Sequence, residues 1–161
     1  MDEKIQLIQQ LDQARRELEA VLAGMAPHTE IYPNWTLKEL LAHLTGWDEA
    51  VTSSLRAHAG GQEPAAPATL GIDVYNAESV ETRLAISLEQ TLQECQLARE
   101  QLKAALDDLP PEKFDEPLLF PWGPTGKVRQ LIRVFVHHDL EHAEEIRKFT
   151  EQAGSRPTRT S

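Results

Sequence analysis

The chain has 161 residues, 40% hydrophobic and 26% charged, enough for one domain with a real apolar core. Its 26 acidic residues against 16 basic ones leave a net charge of −10, which argues against nucleic acid or an anionic membrane surface as a partner. The single cysteine, Cys95, excludes an internal disulfide, and neither a signal peptide nor an apolar membrane span is legible, so a cytoplasmic protein is expected.

Four segments carry helical periodicity. The first is predicted over about residues 2–25, where Leu7, Leu11, Ala14, Leu18, Leu22 and Met25 repeat at three- and four-residue spacing before Pro27. The second is predicted over 36–58. Thr36 and Glu39 form a T-x-x-E capping pattern, the apolar face carries Leu37, Leu40, Leu41, Leu44, Val51 and Leu55, and Gly60-Gly61 ends it. Residues 59–77, with Gly60, Gly61, Pro64, Pro67 and Gly71, read as a long connection able to cross the length of a bundle. The third helix is predicted over 78–108, with a stripe from Leu84 and Leu88 through Cys95 and Leu102 to Leu106. A Pro-rich loop, DEPLLFPWGPTG, follows. The fourth helix is predicted over 126–150, with Val128, Leu131, Ile132, Phe135, Ile146 and Phe149 on its core face. No strand-like alternation appears, so the pattern predicts an all-α four-helix bundle over residues 1–150 and a polar, disordered tail over 151–161.

The fourth helix carries VHHDLEHAEEI. With Phe135 at zero on a helical wheel, His142 falls at about −20° and His138 at about −60°, both on the core face, while His137 points away at about 200°. His138 and His142 are one turn apart, so their rings can share one ion. His43, on the flank of the second helix's apolar face, is the candidate third ligand. Periodicity alone leaves two readings open: metal ligands, or buried histidines satisfied by hydrogen bonds. Asp139, at about +40°, is placed to orient a ligating ring. Glu141, Glu144 and Glu145 read as a solvated face. His28 and His58 read as structural or surface residues, Cys95 as core, and Trp122 as a loop anchor in preference to a pocket lid. An open metal site would have a mouth lined by parts of the loops at 59–77 and 109–126.

These residues resemble a family. NWTLKELLAHLTGWDEA resembles the second-helix signature of the DinB-like (DinB/YfiT-like) four-helix bundles. HHDLEHAEEI resembles their fourth-helix signature, an H-x-x-x-H closed here by Ala143-Glu144-Glu145-Ile146. The likeness covers about residues 2–150. It implies an up-down-down-up bundle with a long crossover between helices two and three, and a metal triad at His43, His138 and His142. The Trp35-to-His43 opening and the Pro121-Trp122-Gly123 loop are most similar to the ClbS/DfsB-like branch. The superfamily includes metal-dependent transferases and isomerases that use low-molecular-weight thiols, and a self-protective hydrolase of a reactive cyclopropane. The resemblance therefore implies a divalent-metal-dependent thiol transferase or hydrolase acting on a small electrophile. Zinc or nickel is the first choice of ion, with iron, manganese or copper as alternatives. It also implies a homodimer. The alternative is a metal-independent small-molecule binding or self-protection protein of the ClbS/DfsB type. No catalytic residue is assigned.

Overall fold

The computed structural model describes residues 2–155. In chain order the elements are α1 (Glu3–Leu22), α2 (Leu37–Ala59), α3 (Ile72–Glu81), α4 (Leu88–Asp107), α5 (Pro111–Phe114), β1 (Leu118–Leu119), β2 (Thr125–Gly126) and α6 (Val128–Ser155). The long helices α1, α2, α4 and α6 make the bundle. The two strands pair antiparallel, Leu118 opposite Gly126, as a minimal hairpin.

Side-chain hydrogen bonds open three of the long helices. Asp2 Oδ1 accepts the Lys4 amide at 3.0 Å at the head of α1. At the head of α2 the Glu39 carboxylate accepts the Thr36 amide at 3.2 Å and the Thr36 hydroxyl at 3.0 Å. Ser87 Oγ accepts the Gln90 amide at 3.0 Å and opens α4.

Two apolar clusters fix the direction of every long helix. One joins Leu7 and Leu11 of α1, Val51 and Leu55 of α2, Leu102 and Leu106 of α4, and Leu131 and Phe135 of α6. The other joins Leu18 and Leu22 of α1, Leu40 and Leu44 of α2, Cys95 of α4, and Ala143 and Ile146 of α6. Helices α1 and α6 thus run from the first cluster to the second, and α2 and α4 run the opposite way. The order is up-down-down-up, and the connection across 60–87 carries the chain back so that α2 and α4 lie parallel.

Between the clusters lies a buried ionic layer with one residue from each long helix: Arg15, Asp48, Arg99 and Asp139. Arg15 donates to Asp139 at 2.9 and 3.1 Å and to Asp48 at 3.3 Å. Arg99 donates to Asp48 at 3.0 and 3.1 Å and to Asp139 at 3.0 Å. Two positive and two negative charges cancel. Burial opposes the Arg15 charge, but Asp48 and Asp139 outweigh it and raise its pKa. Burial likewise opposes ionisation of Asp139, and Arg15 and Arg99 outweigh it and lower that pKa.

The expected third helix, 78–108, is two helices. α3 begins earlier, inside the stretch read as a loop, and the chain breaks between Glu81 and Leu88. Leu84, placed on the core stripe by its spacing, is 62% exposed in the break. The reason is the Ser87 cap, which competes with continuation of the helix by satisfying the first free amides of a new one. Ser87→Ala is therefore expected to cost about 1 kcal/mol, measured by urea unfolding. α1 ends at Leu22, short of Met25. α6 runs to Ser155, past the expected end at 150, and the rest of the expected tail, 156–161, lies outside the described residues.

Candidate metal centre

His43 of α2 and His138 and His142 of α6 meet at one point. Their Nε2 atoms are 3.0 Å apart for His43 and His138, 3.1 Å for His138 and His142, and 3.3 Å for His43 and His142. His43 is buried and the other two are half-buried. His137 is exposed on the opposite face of α6, as its position on the wheel requires.

Three ring nitrogens in a triangle cannot satisfy one another, because a proton on one serves a single neighbour. An ion can take all three lone pairs at once. Bonds of ~2.0–2.1 Å would set nitrogen–nitrogen edges between ~2.9 Å at right angles and ~3.4 Å in a tetrahedron. The observed edges fall in that span, so these residues fit a divalent ion.

The rings are also held in the form a metal needs. Burial, then the neighbouring His138 and His142, lower the pKa of His43 to about 3. Burial, then His142, lower that of His138 to about 4. Burial lowers His142, against the pull of Glu145. Neutral imidazoles offer lone pairs at pH 7 without first losing protons.

The same shifts predict an acid-sensitive apoprotein. In the unfolded chain the His43 and His138 rings titrate near 6.5, and in the fold they stay neutral down to about 3 and about 4. As pH falls through that window the unfolded state binds more protons, so stability present above 6.5 is progressively lost. Urea unfolding with a chelator present should show stability falling by up to about 1.4 kcal/mol per pH unit for each of His43 and His138. His138→Ala should flatten the slope.

The second ring nitrogens differ. Tyr32 Oη lies 2.7 Å from His142 Nδ1. His43 Nδ1 is buried without a hydrogen-bond partner, and its ring instead packs on Trp35 at 5.0 Å between centroids. Tyr32 and Trp35 bracket a tight turn with Pro33 at its second position and Asn34, at φ 68°, at its third. The Trp35 amide closes it on the Tyr32 carbonyl at 2.8 Å. Burial and then the Glu145 carboxylate raise the pKa of the Tyr32 phenol. Asp139, expected to orient a ring, instead spends its oxygens on Arg15 and Arg99. Tyr32 holds that place and was missed, because a side chain in a turn has no periodicity to betray it. The Pro33-Asn34 pair signals the turn but not the contact.

A pocket of about 450 Å³ opens over the three rings. Its walls include Tyr32, Trp35, Asp73, Asn76, Glu141 and Glu145. Asp73 and Asn76 come from the 59–77 stretch, as expected, but within α3. None of the lining residues comes from 109–126, and the turn at 32–35 takes that side instead. α3 is seated by close approach at Gly46, where an added Cβ would sit 2.6 Å from Ser79 Cβ. The Tyr75 hydroxyl donates to the Gly46 carbonyl at 2.6 Å. Trp122 packs with Trp47, Phe120 and Phe135, away from the pocket, as a loop anchor.

The remaining candidates are structural or exposed. His58 Nε2 donates to the Lys113 carbonyl at 2.8 Å, and His28 is exposed. Cys95 is buried, and burial pushes its thiol pKa up, the opposite of an activated nucleophile. A larger cavity, about 730 Å³, lies between α1, α2 and α4 and contains Cys95 but no histidine. Among the described residues no helix is long and apolar enough to cross a membrane.

The fold is similar to that of a mycothiol-dependent maleylpyruvate isomerase, at TM-score 0.75 and 12% identity, covering 89% of this chain and 60% of the isomerase. It is also similar to YfiT from Bacillus subtilis, described as a probable metal-dependent hydrolase with an unusual four-helix bundle topology. That match has TM-score 0.71 and 17% identity and covers 96% of this chain and 90% of YfiT. The chain thus spans only 60% of the isomerase's length. No curated protein matches the sequence. At these identities the structural neighbours show the fold alone, but the sequence itself matches the DinB superfamily model over residues 10–146, and the chain belongs to the DinB superfamily.

Proposed function

We propose that this protein is a divalent-metal-dependent enzyme acting on a small electrophilic molecule, by transfer of a low-molecular-weight thiol or by hydrolysis. One observation carries the reading: three neutral imidazoles converge at the floor of an open pocket. His43, His138 and His142 would hold the ion; imidazole donors suit zinc, nickel, iron and copper, and the family resemblance puts zinc or nickel first. Three protein ligands leave a coordination position for substrate, the habit of catalytic sites. A bound ion would supply Lewis acidity and lower the pKa of a water or thiol.

The chain's own residues do the rest. Tyr32 holds the His142 ring, Trp35 covers His43, and the buried ionic layer fixes α6 against α1, α2 and α4. Of the structural neighbours, one is a mycothiol-dependent isomerase and the other a probable metal-dependent hydrolase, which supports a reading that involves a small thiol or a metal. A cytoplasmic location, expected from the sequence, and a homodimer, implied by the family resemblance, belong to the same reading.

The test uses protein purified without a histidine tag. Elemental analysis should find stoichiometric divalent metal. Conjugation of a small thiol to an aryl halide, or hydrolysis of an activated ester, should stop on chelation and return with the ion. Equal turnover by metal-free protein would overturn the reading in favour of a metal-independent protein of the ClbS/DfsB type. Cys95→Ser should leave turnover intact.

A further inference from the structure

The formal charges that line the pocket over the three rings are of one sign. Asp73 of α3 and Glu141 and Glu145 of α6 line it, and among the described residues no lysine or arginine does. The charges of Arg15 and Arg99 reach the ligating rings but are paired with Asp48 and Asp139, and other cations outside the lining are engaged as well. Arg83 pairs with Glu49, Arg147 with Glu144, and Lys38 donates to the Leu84 carbonyl. All three carboxylates are exposed, and Glu145 lies against the Tyr32 phenol.

We infer that this pocket selects by charge: its substrate, or the thiol it takes, carries a positively charged amine beyond the reacting atom, and anionic counterparts are disfavoured. The inference rests on the metal-centre reading, which fixes where the reacting atom sits. Exposed acidic residues alone would mean no more than a solvated face. Here the three Nε2 atoms define the floor, so a ligand anchored there must place its remaining atoms between α3 and α6. Those walls present carboxylates, and Tyr32 and Trp35 line the adjoining side. The chain's net charge of −10 adds a long-range bias of the same sign.

Three small thiols of similar size and different charge test this: cysteamine, 2-mercaptoethanol and mercaptoacetate. Each binds a cobalt-loaded site through its sulfur, losing the thiol proton to buffer, and the thiolate-to-cobalt absorption reports the dissociation constant. Differences in thiol acidity cancel when the cysteamine-to-mercaptoacetate affinity ratio is compared between wild type and an Asp73→Asn/Glu141→Gln double variant at one pH. The ratio should fall about fivefold or more in the double variant, and should fall similarly in wild type on raising salt to ~0.5 M. Cobalt content and melting temperature, measured alongside, show that both proteins are folded and loaded. A ratio unchanged by the substitutions would overturn the inference and leave the metal centre standing. Wild-type protein unable to bind cobalt would overturn the metal centre, and the inference with it.

Discussion

Asp48→Ala should destabilise the protein by about 3–5 kcal/mol, read as a large drop in the urea midpoint with circular dichroism as the probe. Asp48 is 1% exposed and accepts from Arg15 and from two nitrogens of Arg99. Removing it leaves two buried guanidinium groups facing one carboxylate, Asp139. The cost comes from the charge left behind more than from the bonds lost. The double variant Asp48→Leu/Arg99→Met restores neutrality, since Arg15 and Asp139 remain a pair. It should recover much of the loss despite removing more hydrogen bonds. A double variant as unstable as the sum of its singles would mean that the network acts through its individual bonds and not through charge balance.

That layer was legible in the sequence, though not through apolar spacing alone. Each charged residue takes a core position in its stripe. Arg15 falls between Leu11 and Leu18, Asp48 between Leu44 and Val51, and Arg99 between Cys95 and Leu102, each four residues after the first and three before the second. Asp139 stands four after Phe135 and four before Ala143. One charge per stripe, two of each sign, is the signature of a shared polar layer. Read as hydrophobic stripes with interruptions, the helices kept their identity but lost this feature, and Asp139 was given to the histidines. The histidines themselves were legible, because His138 and His142 share the core face of a long, strongly amphipathic helix. α3 was not. Of its ten residues only Ser79 is buried, so it has no apolar stripe, and it is held through Gly46 and Tyr75 instead. Its contribution to the pocket could be seen only once the chain was folded.

Metal binding should fail in graded steps across four variants, measured by competition of zinc with a chromophoric chelator. His142→Ala should abolish tight binding, because two imidazoles on α2 and α6 cannot replace three. Tyr32→Phe should weaken it roughly 10- to 100-fold, the range typical of groups that support a metal ligand. His138→Ala should match His142→Ala, and His137→Ala should match wild type, since His137 faces solvent. The Tyr32 step follows from tautomers. With Nε2 turned to the ion, the proton of neutral His142 must sit on Nδ1, which then donates to Tyr32 Oη at 2.7 Å. The phenol's own proton is left free to turn toward Glu145, beside it. Phenylalanine keeps the edge-on ring packing, 5.5 Å between the centroids of residue 32 and His142, but offers Nδ1 no acceptor. The ring then loses both its preferred tautomer and its fixed orientation. His43 makes the contrast within the same site, because its Nδ1 has no partner and its ring is held by packing on Trp35. If Tyr32→Phe binds zinc as tightly as wild type, the 2.7 Å contact is incidental and packing alone orients all three rings.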